Sequence, residues 1–381
     1  MERSLRVACV IAGMQAGGAE RVMAQLCNHL AERGDEVTLV TLGSASEKPF
    51  YEISSAVRRR PLGRFAEGAG VARIIRVAAW IAALRRNLAA LRPDLVISFV
   101  DLTNVMVLLA TRGLNIPVIV SERIDPAAYA HRLSRIDQAL RRLTYPSATR
   151  IVVQTRRAAK FFEHSLVEKI VTIPNPVPFA SVTARPDQAS PEGRFRIIGI
   201  GRLDHQKGFD ILIESFAILS ARFPDWDVVI FGQGPDRTAL LDRIAFHGLE
   251  GRIRLMGISP DIESEAARSH LMAFPSRYEG FPNALAEAMA VGLPAVAFEN
   301  VSGVEELVIS GRTGILVCHD QERNEGEKLT FSDALQQLMT SAELRTQIGT
   351  AAKTSVRQFG PEIVFSEWDK LISAALQHDK L

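Results

Sequence analysis

Two glutamates separated by seven residues lie on either side of the predicted start of a helix. The stretch 279–287 reads Glu-Gly-Phe-Pro-Asn-Ala-Leu-Ala-Glu. Pro282 suits the first helical turn, where its missing N–H costs nothing. This predicts Glu279 in the preceding loop and Glu287 inside the helix. The backbone N–H groups expected to be free are those of Gly280, Phe281 and Asn283. A helix start with free N–H groups binds anions such as a diphosphate, and nearby carboxylates can accept from paired sugar hydroxyls. The alternative is a capped surface helix with two solvated glutamates.

A second motif carries two cations in one loop. Residues 201–208 read Gly-Arg-Leu-Asp-His-Gln-Lys-Gly, after a predicted strand and before a predicted helix. Arg202 and Lys207 would therefore lie at the carboxyl end of a strand, where they could neutralise a departing diphosphate. A solvated basic loop is the alternative. The two motifs follow different strands of the same predicted domain, which favours a shared site.

The third motif is a glycine pair in the first predicted strand-to-helix turn. Gly17 and Gly18 would let the backbone approach a phosphate or sugar closely, although a simple tight turn explains them equally well. Together with Gly13 they do not match the dinucleotide fingerprint, and no acidic residue ends the second predicted strand. This disfavours a nicotinamide enzyme.

No pattern of metal ligands is visible. Asp225 and Asp227 resemble the paired aspartates of some metal-dependent sugar transferases, but they precede a predicted strand, which is the wrong end of a sheet for a site. We interpret them as part of a turn. The eight histidines show no ligand spacing, so neither a metal nor another cofactor is expected.

Short apolar runs alternate with helical patterns along the whole chain, which is typical of parallel α/β sheets. The first series of predicted strands comprises 6–12, 37–42, 95–99, 118–121 and 151–154, and the second comprises 196–201, 227–232, 253–256, 271–274, 294–298 and 315–317. Residues 173–193 hold five of the 18 prolines and interrupt the pattern. We therefore predict one α/β domain over 1–178, a linker over 179–193, and a second α/β domain over 194–381 whose last helix could pack back on the first domain. Such sheets bind ligands beyond their carboxyl strand ends, which places the expected site in the cleft between the domains.

The composition is that of a globular protein with an uneven charge. The chain has 381 residues, of which 47% are hydrophobic and 23% charged. Residues 1–185 carry 26 Lys+Arg and 15 Asp+Glu, a net of +11, whereas the remainder carries 19 and 28, a net of −9. A basic first half indicates an anionic partner. The three separated cysteines fit a reducing cytosol, and no apolar run is long enough to span a membrane.

The positive charge of the first half is concentrated in three places. Arg58, Arg59, Arg60 and Arg64 are expected in one loop, and two helical patterns over 71–92 and 133–143 combine an apolar stripe with arginines. The apolar stripes comprise Ile74, Val77, Ile81, Leu84 and Leu88 in the first helix and Leu133, Ile136, Leu140 and Leu143 in the second. Anionic bilayers attract such segments. The alternative is that both stripes face the core and the arginines are solvated. Nucleic acid is disfavoured because no aromatic residues are interleaved with the arginines.

Five motifs together resemble the retaining glycosyltransferases of family four. These are Gly17-Gly18-Ala-Glu-Arg, Asn175-Pro176, the 201–208 loop, Phe231-Gly-Gln-Gly-Pro235 and the two spaced glutamates. The resemblance covers nearly the whole chain and implies the GT-B fold of two facing, doubly wound, Rossmann-like α/β domains with a cleft between them. It also implies that the domain over 1–178 binds the acceptor and that the domain over 194–381 binds the nucleotide sugar. Ser121-Glu-Arg-Ile-Asp-Pro126 is similar to transferases that extend polyprenyl-diphosphate-linked oligosaccharides with N-acetylgalactosamine or galactose.

The resemblance also implies roles for individual residues. Arg202 and Lys207 match the pair that holds the donor diphosphate, Glu279 matches the contact to donor-sugar hydroxyls, and Glu287 matches the contact to the ribose. Gly17 and Gly18 match the loop that closes over the donor. Many relatives have a histidine beside the donor sugar, where this chain has Glu122 and Arg123 as the candidates.

The sequence therefore predicts a metal-independent enzyme that moves a hexose or N-acetylhexosamine from a UDP-sugar to a lipid-linked saccharide. Its expected location is cytoplasmic, peripheral on the inner face of the plasma membrane. A UDP-sugar epimerase of the same fold and a non-catalytic sugar-nucleotide-binding protein remain the alternatives.

Overall fold

The fold is that of a computed structural model, which describes residues 4–44, 46–63, 71–125, 134–162, 164–318 and 329–378. The chain divides into two compact units. The N-terminal unit comprises Met1–Pro176 and Glu362–Leu381, and the C-terminal unit comprises Val177–Pro361. Each unit contains one parallel sheet, as the alternating pattern predicted. The C-terminal unit begins earlier than the predicted residue 194. Val177 of the predicted first domain and Ala184 of the predicted linker are both buried in its hydrophobic core.

The N-terminal unit has a seven-stranded sheet in the order β3-β2-β1-β4-β5-β6-β7. Its strands are β1 (Arg6–Ile11), β2 (Glu36–Thr41), β3 (Arg58–Pro61), β4 (Leu95–Phe99), β5 (Val118–Ser121), β6 (Arg150–Val153) and β7 (Ile170–Thr172). Val7, Cys9 and Ile11 of β1 enter one core and Ala8 and Val10 enter the other. Successive side chains of a strand point to opposite faces, so an apolar run of this kind serves a sheet that is covered on both sides.

Helices cover both faces of this sheet. They are α1 (Gly18–Glu32), α2 (Val71–Leu91), α3 (Asp101–Thr111), α4 (Arg135–Thr144), α5 (Arg156–Ala159) and, from the end of the chain, α13 (Pro361–His378). Residues of α1 and α13 share one core, in which Trp368 is fully buried. Residues of α2 and α3 share the other core. The last helix thus belongs to the unit that starts the chain.

The C-terminal unit has a six-stranded sheet in the order β10-β9-β8-β11-β12-β13. Its strands are β8 (Phe195–Ile200), β9 (Trp226–Phe231), β10 (Ile253–Gly257), β11 (Leu271–Phe274), β12 (Ala295–Phe298) and β13 (Ile315–Val317). Its helices are α6 (Phe209–Ser220), α7 (Arg237–Phe246), α8 (Ile262–Ala267), α9 (Asn283–Ala290), α10 (Val304–Leu307), α11 (Phe331–Thr340) and α12 (Ala342–Ser355). The chain order reverses between β8 and β11, and such a switch point is where doubly wound sheets place ligands.

The arginine cluster of the first half is not a loop. Arg58, Arg59 and Arg60 form most of β3 at the edge of the sheet, and Arg64 lies outside the described residues. Arg59 donates to the carbonyl of Glu47 at 2.8 Å, and Arg60 donates to Asn87 Oδ1 at 3.2 Å. An edge strand accepts charged residues readily because both its faces and its free edge meet water. Apolar alternation alone does not reveal such a strand.

The two predicted helical stripes differ in how far they are buried. In α2, Leu84 and Leu88 are buried and Val77 and Ile81 pack against the same core, so the core-facing interpretation holds for these residues. In α4, Leu140 packs against this core, whereas Ile136 and Leu143 are 70% and 63% exposed, so this stripe is divided between the core and the surface. Leu133 lies outside the described residues. Among the helices that the structure describes, none is both long and apolar enough to cross a bilayer.

Candidate active site

Two loops at neighbouring strand ends bring the predicted catalytic residues together. β8 and β11 pair in parallel, with Leu271 opposite Ile197. The loop that carries Arg202 and Lys207 follows β8, and the loop that carries Glu279 follows β11. Because the carboxyl ends of parallel strands meet at one edge of the sheet, the loops lie side by side.

Lys207 and Glu279 form a close ion pair. Lys207 Nζ lies 2.6 Å from Glu279 Oε1, and the side chains are 18% and 7% exposed. The ammonium also lies 5.5 Å from the centre of the Phe274 ring. A charge-assisted hydrogen bond of this kind is stronger than one between neutral groups. The arrangement thus offers a cation and an acceptor oxygen at one point.

Arg202 is held less tightly. Its Nε donates to Asp204 Oδ2 at 2.8 Å, and its side chain is 69% exposed. Asp204 also accepts from the backbone N–H of Lys207, which caps the short 3₁₀ turn His205–Lys207. The turn ends at Gly208, which has φ +65° and would place a Cβ atom 2.1 Å from the carbonyl oxygen of Pro275. Only glycine satisfies both this backbone conformation and this close approach.

The start of α9 differs in one respect from the prediction. The helix begins at Asn283, with Pro282 as the residue before the first turn. The N–H of Asn283 already donates to the carbonyl of Phe281 at 3.0 Å, so this predicted anion donor is in use. Phe281 is buried and lies edge-on to Phe359, with ring centroids 5.7 Å apart. Glu287 is half-buried, one turn inside the helix.

The glycine pair of the N-terminal unit lies at the start of α1. Gly18 is the first helical residue and Gly17 precedes it without a side-chain cap. A Cβ atom at Gly17 would lie 2.1 Å from the carboxylate of Glu20, which folds back over this turn. Burial raises the pKa of Glu20, whereas the charge of Arg123 lowers it. The glycine here makes room for a carboxylate that the sequence patterns did not single out.

Glu122 and Arg123 follow β5 and point to opposite sides of the sheet, as adjacent residues of an extended chain must. Arg123 lies over the Phe99 ring, with its guanidinium 4.4 Å from the ring centre. Glu122 instead meets Tyr145 and Arg141 on the side covered by α3 and α4. The two candidates therefore cannot share one contact to a sugar.

Glu122 belongs to a closed polar cluster. The Tyr145 hydroxyl donates to Glu122, Asn104 Nδ2 donates to Tyr145 at 3.1 Å, and Arg141 Nη1 lies 4.0 Å from the carboxylate. Burial raises the pKa of Glu122 to about 7, although Arg141 and the Tyr145 hydroxyl favour its ionised form. Because only 4% of Glu122 is exposed, its direct contact with a sugar is disfavoured.

Arg123 is buried, with polar partners on its own side of the sheet. Its guanidinium donates to Asn175 Oδ1 at 2.5 Å and to Ser121 Oγ at 3.3 Å. Gln154 Nε2 also donates to Asn175, at 2.6 Å. Burial lowers the pKa of Arg123 to about 9, and the charge of Glu20 opposes that change. A buried cation beside the turn at Gly17 is able to bind an anion or a hydroxyl oxygen.

The backbone is strained at the end of β4. Val100 has φ +76° and ψ 135°, which is a true outlier for a β-branched residue. Its N–H donates to the carbonyl of Ser121 at 3.1 Å, and Asn104 Nδ2 donates to the same carbonyl. Strain of this kind concentrates at functional sites. It supports a site at the carboxyl edge of this sheet and has no sequence signal.

Asp225 lies in the turn before β9, as predicted, whereas Asp227 is the second residue of that strand and not part of the turn. Asp227 is at the start of β9, where it accepts from Arg194 and Arg252. Within the described ranges, no group of three His, Cys, Asp or Glu side chains is arranged to hold a metal ion.

Two family models match successive parts of the chain. The model described as Glycosyltransferase Family 4 matches residues 16–180, and the model described as Glycosyl transferases group 1 matches residues 182–355. The chain belongs to the family four glycosyltransferases. The resemblance drawn from the motifs is thereby confirmed.

Three bacterial proteins illustrate the relatives of this glycosyltransferase. The chain is 25% identical over 97% of its length to a Campylobacter jejuni α-1,4-N-acetyl-D-galactosaminyltransferase that acts on GalNAc-GalNAc-diNAcBac-PP-undecaprenol, 98% of which is covered. It is 26% identical to the amylovoran biosynthesis glycosyltransferase AmsD of Erwinia amylovora, with 94% and 96% covered. An exopolysaccharide phosphotransferase of Streptomyces coelicolor is 29% identical over 95% of this chain, but the chain spans only 40% of that protein.

Solved structures confirm the fold of the glycosyltransferase. A sucrose-phosphate synthase from Thermosynechococcus elongatus aligns with a TM-score of 0.83 and 17% identity, covering 98% of this chain and 99% of that one. Anabaena HepE in complex with UDP-glucose aligns with a TM-score of 0.76 and 16% identity, covering 97% and 100%. The predicted GT-B class of two Rossmann-like domains is therefore correct.

The sequence patterns missed the contacts that join the loop of Lys207 to the loop of Glu279 in this glycosyltransferase. Arg277 donates to both carboxylate oxygens of Asp210, at 3.0 and 2.7 Å, and to the carbonyl of His205 at 2.8 Å. Gln206 Nε2 donates to the carbonyl of Tyr278 at 2.9 Å. These bonds hold the loop that carries Lys207 against the loop that carries Glu279. The sequence signal for these contacts would have been Asp210, three residues after Lys207, and Arg277, two residues before Glu279.

Proposed function

We propose that this glycosyltransferase transfers a hexose or N-acetylhexosamine from a UDP-sugar to a lipid-linked saccharide, with retention of the anomeric configuration. The observation that carries the proposal is the Lys207–Glu279 pair, which the loops after β8 and β11 hold beside the start of α9. One point then offers a cation for a phosphate and a carboxylate for sugar hydroxyls.

In the proposed mechanism, cations stabilise the departing nucleotide. As the bond between the anomeric carbon and the β-phosphate oxygen breaks, negative charge grows on UDP, and Arg202 and Lys207 neutralise it. Arg202 suits this role because its side chain is exposed and can leave Asp204 to meet a phosphate. In this proposal Arg202 and Lys207 supply the charge that a divalent metal supplies elsewhere, so activity is expected to survive excess EDTA.

The remaining contacts are assigned from position. Glu287 is proposed to accept from the ribose hydroxyls, Glu279 from the sugar hydroxyls, and the backbone at Gly280, Phe281 and Pro282 to line the donor. Gly17, Gly18 and Arg123 are proposed as contacts of the N-terminal unit with substrate. Glu122 is proposed to position this strand end through Tyr145, because its side chain is enclosed.

The acceptor class is supported by the Campylobacter relative, whose printed substrate is a saccharide on undecaprenyl diphosphate and which matches along nearly its whole length. The donor class is supported by the neighbouring fold of HepE with UDP-glucose. The basic N-terminal half is proposed to meet an anionic membrane on its cytoplasmic face, where such an acceptor is embedded.

The test is a panel of UDP-sugars incubated with short lipid-diphosphate saccharides and analysed by mass spectrometry. The expected result is a product one sugar heavier, with UDP released only when acceptor is present. An epimerase would instead interconvert the UDP-sugars without acceptor, and a non-catalytic binding protein would release no UDP.

Single variants connect the activity to the site. Arg202→Ala and Lys207→Ala should each reduce turnover by about 100-fold or more, as the loss of a transition-state charge contact does. Arg254→Ala, which removes an exposed cation from β10, is the matched control and should retain full turnover. Wild-type rates in both site variants would refute the assignment.

A further inference from the structure

Helix α4 is strongly amphipathic and well formed. Ser134 caps its start, where the Ser134 hydroxyl oxygen accepts from the N–H of Asp137 at 3.1 Å. The same hydroxyl donates to the Asp137 carboxylate at 2.7 Å, so this acidic side chain is turned towards the start of the helix. Arg141 and Arg142 lie in the last turn, where positive charges interact favourably with the helix dipole.

The outward side of α4 carries a continuous apolar stripe. Ile136 is 70% exposed and Leu143 is 63% exposed, and the exposed Ala139 lies between them. Positions i, i+3 and i+7 share one face of a helix. Single exposed apolar residues are ordinary on protein surfaces, but three in register along one helix are a patch of the kind that contacts another phase or molecule.

Cations border this stripe. Arg135 and Arg142 are exposed and lie one position before Ile136 and Leu143, so they run along one side of the apolar residues. Lys169 lies beyond the end of the helix, where its ammonium donates to the carbonyls of Pro146 and Ala148 at 2.7 and 3.0 Å. None of the exposed residues within α4 is acidic.

The inward side of α4 is fixed to the sheet. Arg141 is only 8% exposed and lies between Glu122, 4.0 Å away, and the Phe161 ring, whose centre is 4.8 Å from the guanidinium. Phe161 itself is 37% exposed. The ion pair thus joins α4 to Glu122, the residue that directly follows β5.

We propose that α4 docks on an anionic lipid bilayer, with Ile136, Ala139 and Leu143 entering the headgroup boundary and Arg135 and Arg142 binding lipid phosphates. This inference rests on the proposed function in that a lipid-linked acceptor requires the enzyme at a membrane. Interfacial helices of this type combine a basic border with an apolar face. Charge complementarity favours a bilayer over a second copy of the chain, because two copies of this face would oppose like charges.

Two variants separate the apolar and ionic parts of the contact. Binding is measured by co-sedimentation with vesicles of phosphatidylglycerol and phosphatidylcholine, and with pure phosphatidylcholine. Arg135→Gln with Arg142→Gln should weaken binding to the anionic vesicles about 30-fold at low salt, which corresponds to about 1 kcal/mol for each cation. Its residual binding should respond less to salt, because fewer charges remain to be screened.

Ile136→Ser with Leu143→Ser should weaken binding about ten-fold or more, because apolar area then no longer leaves water. The salt dependence should remain that of the wild type. Matched controls remove equivalent groups from the C-terminal unit. They are Ile218→Ser with Phe246→Ser, which are 73% and 85% exposed, and Arg222→Gln with Arg254→Gln, both exposed. Both control proteins should bind like the wild type.

The outcomes distinguish this inference from the proposed function. Vesicle binding lost in the α4 variants, with transfer to a soluble acceptor analogue retained, supports the docking surface. Equal binding by all variants, or equal wild-type binding to neutral and anionic vesicles, would overturn it while transfer activity still stands. A vesicle-free dimer that the serine variant dissociates in sedimentation velocity would assign the surface to a second copy instead. A chain that transfers no sugar but binds through α4 would contradict only the function.

Discussion

Replacing Glu279 by Gln should tighten the binding of UDP while it suppresses transfer. The Lys207 ammonium is held by the Glu279 carboxylate at 2.6 Å, and both groups are largely shielded from solvent. A diphosphate that binds Lys207 must either compete with this carboxylate or lie close to its negative charge. The glutamine keeps the shape and removes the charge.

The size of the effect follows from the bond that UDP would no longer have to weaken. Hydrogen bonds to charged groups contribute about 1.5–3 kcal/mol. The lower end applies here because 18% of the Lys207 side chain remains exposed and the ammonium has three donors to share. This corresponds to UDP binding about ten-fold tighter. Turnover should fall about 100-fold, because the proposed acceptor of the sugar hydroxyls loses its charge.

Isothermal titration calorimetry with UDP measures the first effect and steady-state transfer measures the second. Lys207→Gln should weaken UDP binding by about 10–100-fold. In the double variant the gain from Glu279→Gln should vanish, because the gain acts through the lysine. Glu265→Gln is the matched control, since it breaks the ion pair with Arg196 at the opposite end of β8, and it should leave UDP affinity unchanged. If Glu279→Gln weakened UDP binding as much as Lys207→Gln does, the carboxylate would be organising the lysine for the nucleotide, and our reasoning would be wrong.

Three further predictions test the architecture around the site. In Arg277→Lys the lysine cannot bridge both carboxylate oxygens of Asp210, so the KM for the donor should rise about ten-fold with little loss of stability. The control Arg252→Lys, at the amino end of the sheet, should leave the KM unchanged. A loss of stability in Arg277→Lys without a change in KM would contradict the role of Arg277 in holding the two loops together. The raised pKa of Glu122 means that the folded state retains a proton that the unfolded chain releases. The stabilisation of the folded state by this proton is complete below about pH 4.5 and is lost as the pH rises to about 7. As the pH rises between those values, the free energy of unfolding of Glu122→Gln should therefore increase by about 3 kcal/mol relative to that of the wild type. Urea unfolding curves of the two proteins that shift equally with pH would exclude this. Trp368 is fully buried in α13, so Trp368→Ala should lower the free energy of unfolding by about 3–5 kcal/mol, as measured by denaturant unfolding. A loss below about 1 kcal/mol would contradict the assignment of this helix to the N-terminal core.

Local sequence was sufficient for the motifs and for the strands that hold them. The runs that became β8 and β11 are apolar and buried on both faces, so their composition alone identifies them. The loops after these strands follow directly, and parallel pairing then places Arg202, Lys207 and Glu279 at one edge. Chemistry at strand ends is predictable because the topology of such sheets leaves few alternatives.

Where a segment is exposed or packs over a long distance, the sequence was insufficient. The strand at Arg58–Pro61 contains three arginines and no apolar alternation, because one edge of it is free. The helices α2 and α4 both have a predicted apolar stripe, yet Leu84 and Leu88 of α2 are buried whereas Ile136 and Leu143 of α4 are exposed. Periodicity shows that a helix has two faces, and only the neighbouring elements determine which face is covered.

Side-chain partners were likewise decided by the tertiary structure. Glu122 and Arg123 are adjacent in sequence, but the pleat of β5 directs one towards Tyr145 and the other towards Asn175. The N–H of Asn283 is occupied because the preceding turn folds back on it. Arg277 is 67 residues from Asp210 along the chain, and only the pairing of β8 with β11 brings them together. The residue types at the site are thus a property of the sequence, whereas their charge partners depend on contacts between segments distant in the chain.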